Sequence, residues 1–305
     1  MTSINTNNAA MTALSTLRGI NNNLETTQNA VSSGLRISKA SDNASYWSIA
    51  TTMKTDTGAI GAVQDALGLG AAKVDTAYTA MDSAIDVVGQ IKDKLVTAKE
   101  TSVDKAKIQE ELGQLQDQLE SVAQSASFNG ENWVVATDGQ SASVVSSFVR
   151  DASGSVSVKS SGYTFDSGSA GNVLFGMSGG SIDTTSGILG TKQTVGSGSF
   201  SVFSINVVGM TTGDIDGAMN IVESALQSMT TAAAQLGSLS SRIDLQTSFA
   251  SSLSDAITSG VGKLIDSDME VESSKLSALQ TQQQLAVQSL SIANSSSQTI
   301  LSLFR

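Results

Sequence analysis

The sequence predicts a mainly α protein with an inserted β-rich domain, in which long coiled-coil-like helices from both chain ends pack together and the middle domain lies outermost. Three observations predict it. The 305 residues include no proline, where about 5% is usual, so long helices run without a breaker. Apolar residues recur at alternating steps of four and three near both chain ends, the period of paired helices. Between those regions the period stops, and Gly and Ser punctuate short alternating runs.

The first helix follows Ala10, Leu14, Leu17, Asn21, Leu24, Gln28, Val31 and Leu35. The second follows Ile60, Val63, Leu67, Gly70, Val74, Ala77, Met81, Ala84, Val88, Ile91, Leu95 and Ala98, where Gly70 alone departs from the apolar pattern. Thr101-Ser102-Val103-Asp104 is a helix-start signal, because a Ser/Thr followed by an acid can serve the free N–H groups of a first turn. The third helix follows Ile108, Leu112, Leu115, Leu119, Val122 and Ala126, and ends at Phe128-Asn129-Gly130, where Asn-Gly suits a tight turn with positive φ.

In the middle region Ser143 to Val149, Val156 to Lys159 and Phe200 to Val207 read as half-buried strands. Five of the eight Phe fall here, Phe148, Phe165, Phe175, Phe200 and Phe203, which predicts a small β-rich domain with a core of its own. The helical register then returns at Ile215, Met219, Val222, Leu226, Met229, Ala233, Leu236, Ser240, Ile243, Thr247, Ala250, Ser254, Ile257, Val261 and Leu264, apolar except at Ser240, Thr247 and Ser254. A helix of about 50 residues is roughly 75 Å long and is expected to lie along the second and third. The seam then shifts by one residue to Ile265, Met269, Glu272, Leu276, Leu279, Gln283, Ala286, Leu290, Ala293, Ser297, Ile300 and Phe304, which places a hinge or domain boundary near 264 to 269. The two terminal helices are poor in charge and carry narrow stripes, so neither is stable alone in water. They are expected to pair with each other and with neighbouring copies.

Composition excludes much chemistry. With no Cys and no His there is no disulfide, thiolate nucleophile, Ser-His-Asp triad or His-ligated metal; no catalytic, cofactor-binding or metal-binding residue is expected, and no enzyme activity. A net charge of −11 without a basic cluster argues against nucleic acid or an anionic membrane as partner. Glu110-Glu111 and the pair Asp266 and Asp268 lack the Gly-containing Asp-rich loop of a calcium hand and are expected to be surface acids. The start has neither a basic segment nor an apolar run, so no secretory signal peptide is expected, and no stretch of 18 apolar residues predicts a membrane span.

The chain ends resemble bacterial flagellin. The N-terminal likeness rests on Ile4-Asn5-Thr6-Asn7, Ala10-Met11-Thr12-Ala13-Leu14, Ser32-Ser33-Gly34-Leu35-Arg36-Ile37 and Ala40-Ser41-Asp42-Asn43-Ala44; the C-terminal one on Gln280-Thr281-Gln282-Gln283, Ala293-Asn294 and Leu301-Ser302-Leu303-Phe304-Arg305. The resemblance implies a secreted, extracellular subunit that polymerises into the flagellar filament for swimming motility, with the hook-filament junction protein as the alternative. It implies a terminal coiled-coil core of residues 1–42 and 268–305, a helical rod of 43–135 and 212–267, and a variable surface domain of 136–211. The implied partners are further copies of the chain, possible companion flagellins, the export machinery, the filament cap and the junction proteins, with no cofactor.

The assembly seam is expected at Leu14, Leu17, Leu24, Val31, Leu35, Leu276, Leu279, Leu290, Ile300 and Phe304. Tyr46 and Trp47 stand where many relatives have small residues, and are expected to form an inter-domain wedge. Ser297 replaces a common Pro, which predicts an unkinked last helix. Residues 29 to 50 and the stretch Gln90 to Leu95 depart from the patterns read by plant and animal innate immune receptors, so strong recognition by either is not expected. The charges from Lys92 to Glu120 are expected on a solvated face, with lateral contacts between copies as the alternative.

Overall fold

The computed structural model describes residues 6–151, 153–195 and 198–302. All twelve positions of the second register are buried, because they share one face of α2 (Ala44–Ala98). α1 (Asn8–Ser33) precedes it and α3 (Lys105–Ser125) follows. Asp104 caps α3 by accepting from the Ala106 N–H. Strands β1 (Ser127–Phe128) and β2 (Glu131–Asn132) then form a hairpin whose turn residues Asn129 and Gly130 have φ of 52° and 82°, the positive values the Asn-Gly pair predicts.

In the middle region β3 (Val135–Ala136) pairs parallel with β6 (Phe175–Ser178), which pairs antiparallel with β7 (Ser181–Asp183); β4 (Ser141–Arg150) and β5 (Val156–Thr164) form a separate hairpin between them in sequence. The one-turn helix α4 (Gly187–Gly190) and the pair β8 (Gln193–Val195) and β9 (Gly198–Phe200) follow. α5 (Thr212–Ile265) and α6 (Met269–Ser302) complete the chain. The break between them falls within the expected hinge, and α6 continues through Ser297 without interruption. No described helix is long and apolar enough to cross a membrane.

The chain divides into two compact units, residues 1–58 with 254–305 and residues 59–253. In the second, α2 and α5 run antiparallel in one register. Lys92 meets Glu223, Lys99 meets Asp216, and Asp75 accepts from Ser240 Oγ, so each advance along α2 is matched by an equal retreat along α5. Lys94 meets Glu111 of α3. The charges expected on a solvated face are thus partly engaged within the chain, in exposed pairs worth about 0–1 kcal/mol each.

Two expectations for the middle region are corrected. It has no core of its own: Trp133, Val144, Phe165, Phe175, Ile188 and Val202 belong to one continuous cluster with the apolar faces of α2, α3 and α5. Gly70, the misfit of the α2 register, is where this happens, since a Cβ there would lie 2.1 Å from Val144 Cγ1. The missing side chain admits the hairpin. Secondly, Phe200 to Val207 is not a strand. β9 ends at Phe200, and Val202–Ser204 form a 3-10 turn. Val202, Ile205 and Val207 are all buried, although a strand would turn Val202 to the opposite face from the other two, and their backbone is held by side chains: Gln116 Nε2 donates to the carbonyls of Val202 and Ile205, and Gln109 Oε1 accepts from the Val207 N–H. Two glutamines of α3 replace a neighbouring strand.

Candidate assembly surface

The first unit is built on the pairing of α1 with α6. They run antiparallel, since Asn7 Nδ2 donates to the Ala293 carbonyl and Gln283 Nε2 donates to Asn21 Oδ1. On α6 the inward positions are Glu272, Leu276, Leu279, Gln283, Ala286, Leu290 and Ala293, the expected register. On α1 they are Ala10, Ala13, Leu17, Ile20, Leu24, Thr27 and Val31. Here alternate positions sit one residue earlier than expected, because Ala13, Ile20 and Thr27 give a continuous contact that Leu14, Asn21 and Gln28 would interrupt.

Each expected seam residue can now be placed. Leu17, Leu24, Val31 and Leu35 are half-buried, as are Leu276 and Leu290, while Leu279 is buried. Leu14 points outward and is 38% exposed. The Ile300 side chain and Phe304 lie outside the described residues. Tyr46 and Trp47 occupy the first turn of α2, are both exposed, and stand beside exposed Ile49. Among the described residues of α1 and α6 only Thr27 and Leu279 are buried. A two-stranded pair covers one side of each seam residue, and the remaining surface stays open.

The far end of the pair is closed by a backbone clasp. The Arg36 and Ile37 N–H groups donate to the Ile265 carbonyl, the Ser267 N–H donates to the Gly34 carbonyl, and Arg36 Nη2 donates to the Leu264 carbonyl. Beneath it Ile37, Ala50, Val261 and Ile265 form a small core. Asp42 accepts from the N–H groups of Ser38 and Lys39, and those backbone hydrogen bonds hold its carboxyl below the usual carboxylate range. Asn43 caps α2 and Asp268 caps α6. Thus Asp268 has a structural use, and Arg36 serves the clasp. The clasp residues were absent from the expected site; the signal for them was the pair of polar breaks at the ends of the two terminal helices.

The helical regions around this clasp decide the family. The family model for the bacterial flagellin N-terminal helical region matches residues 4–138, and that for the C-terminal helical region matches residues 219–304. The chain belongs to the bacterial flagellin family. It is 47% identical to Flagellin A of Rhizobium meliloti, 49% identical to Flagellin C of Rhizobium meliloti strain 1021 and 46% identical to a flagellin of Brucella melitensis, each over the whole of both chains. A solved flagellin of Bacillus cereus has 20% identity, covers 61% of this chain and 86% of its own, and gives a TM-score of 0.39, too distant a likeness to add to the fold. Residues 139–218 lie between the two matches and contain most of the β structure.

Proposed function

We propose that the chain is the structural subunit that polymerises into the flagellar filament, with residues 1–42 and 268–305 as the polymer core, 43–135 and 212–267 as a helical rod and 136–211 as the solvent-facing domain. The observation that carries this is the open α1 and α6 seam: Leu17, Leu24, Leu276 and Leu290 are paired yet half-exposed, and apolar area left in water is worth about 25 cal/mol per Å² to a partner that covers it. The principal partner is another copy of the chain, with companion flagellins as further members of the polymer. Passage through the export machinery and contact with the cap and junction proteins belong to the same reading, which puts the protein outside the cell. It includes no catalytic role, in keeping with a chain that lacks His and Cys. The relatives reported above are flagellins, which favours the filament over the hook-filament junction.

Leu24→Asp and Leu290→Asp test it. Each puts a charge into the seam at a cost of several kcal/mol, and seeded growth followed by light scattering and negative-stain microscopy should show no filaments. Normal filaments from either variant would refute the core assignment. Antibody labelling along the entire filament, as opposed to a band at its base, separates the subunit from a junction protein.

A further inference from the structure

The first three turns or so of α1 and the last seven to eight of α6 have no charge to offer water. No charged side chain occurs from Thr2 to Leu17 or from Leu276 to Phe304. This neutral end nevertheless exposes large apolar residues: Met11 at 64%, Val287 at 53%, Leu285 at 60% and Ile292 at 65%, beside Leu14. They are not scattered. At 100° per residue, Met11 and Leu14 lie about half a turn from the side of α1 that carries Ala9, Thr12, Ala13 and Thr16, and Val287 extends their ridge onto α6. On the opposite flank those four residues, with Ala286 and Ser289, line an open groove of about 470 Å³. Leu285 and Ile292 stand on the outer side of that groove, one turn of helix to either side of Ser289.

We propose that the ridge of Met11, Leu14 and Val287 on one copy docks into the flanking groove, against Leu285 and Ile292, of the next copy. The inference rests on the filament reading and names the surfaces that propagate it. Charge selects the occupant. Copies carrying −11 each repel wherever their charged faces approach, and only the neutral end lets them meet without that cost; a basic or acidic partner finds no counter-charge there. Geometry gives the direction. Ridge and groove are different surfaces of the same helix pair, so the contact is heterologous, and a heterologous contact whose rotation does not close extends as a helical filament. The apolar ridge supplies the attraction and the small side chains of the groove allow close approach.

The chain has no cysteine, so single engineered cysteines report the contact cleanly. Leu14→Cys and Ser289→Cys chains are mixed, polymerised from seeds and oxidised, since a disulfide needs Cα atoms within roughly 7 Å. The expected result is a mixed L14C to S289C dimer. L14C dimers with L14C, S289C dimers with S289C, or no cross-link in polymer that does form, would overturn the proposal while leaving the filament reading intact. Failure of the unmodified chain to grow from seeds overturns both. As a second measurement, Val287→Lys on the ridge and Ser289→Trp in the groove, each with helicity unchanged by circular dichroism, should slow elongation at least about tenfold, equivalent to about 1.4 kcal/mol. Added in small proportion to the unmodified chain, each should cap one filament end only, Val287→Lys docking through its intact groove and Ser289→Trp through its intact ridge, so the two block opposite ends. Unchanged elongation by both would refute the docking.

Discussion

Replacing Gly70 by Ala should destabilise the chain although Ala is the better helix former. In an open helix the change gains about 1 kcal/mol. Here the new Cβ would fall 2.1 Å from Val144 Cγ1, 3.3 Å from its Cβ and 3.4 Å from its Cγ2. Rotating Val144 moves one methyl out of the clash and another toward it, and its Cβ stays close throughout, so β4 must shift away from α2. Overpacking of this kind costs about 1–3 kcal/mol, and the net loss is expected at about 1 kcal/mol. Val144→Ala alone removes two methyl groups at about 0.8 kcal/mol each and leaves a cavity, for a loss of about 2 kcal/mol. The double variant Gly70→Ala with Val144→Ala relieves the clash, keeps the helix gain and refills part of the space. It should therefore be about 2 kcal/mol more stable than the sum of the single effects. Urea unfolding of the monomer, followed by far-ultraviolet circular dichroism at constant m-value, measures all three. Additivity within about 0.5 kcal/mol would refute the claim that the hairpin docks through this glycine.

Two further outcomes follow from the second unit. Tyr163 stacks on Trp133 at 5.7 Å and meets Phe165 edge-on; its hydroxyl is buried without a partner, and burial pushes its pKa up to about 12 from 10. The folded state therefore favours the neutral phenol, so its contribution is complete below pH 10 and declines as pH rises towards 12, by about 2 kcal/mol. Tyr163→Phe should be more stable than the parent by about 1 kcal/mol at pH 7, where it removes an unsatisfied buried hydroxyl, and the gap should widen between pH 10 and 12 in paired urea titrations. Gln116→Leu leaves the carbonyls of Val202 and Ile205 without their donor and should cost about 1–3 kcal/mol, with amide exchange quickening at 202 to 207 before the helices open.

What the sequence made legible was the helical frame, and the reason is specific. α2 is apolar on the side that packs, and α6 is so except at Glu272 and Gln283, so a count in steps of four and three finds the contact position by position. α1 supports two registers that coincide at Ala10, Leu17, Leu24 and Val31, and within one copy the alternate positions that meet α6 are Ala13, Ile20 and Thr27, with Leu14 turned outward. The polar misfits Asn21 and Gln28 were the available warning. The middle region was harder because alternation reports burial and says nothing about who accepts or donates the backbone hydrogen bonds. Gln109 and Gln116, read as ordinary polar positions of α3, perform that task for Val202 to Val207. The exposed ridge was invisible for a different reason: Met11 and Val287 fall outside any seam, and only folding reveals that none of the described residues covers them.

The distribution of charge links these surfaces to assembly conditions. Lys92, Lys94 and Lys99 already meet Glu223, Glu111 and Asp216 of the same chain, so they are spent before a second copy arrives, while the excess of eleven negative charges remains to oppose association. Salt screens such repulsion within about 8–10 Å at ordinary ionic strength. The terminal contact contains no ion pair that salt would weaken, because Thr2 to Leu17 and Leu276 to Phe304 contain no charged side chain. Both effects act in one direction, and sulfate adds a third by strengthening apolar burial. Seeded elongation should therefore accelerate from low salt to moderate sodium chloride, and accelerate further when sulfate replaces chloride at equal ionic strength. Elongation that slowed with salt would mean that unscreened ion pairs between copies, and not the neutral helix ends, hold the polymer together.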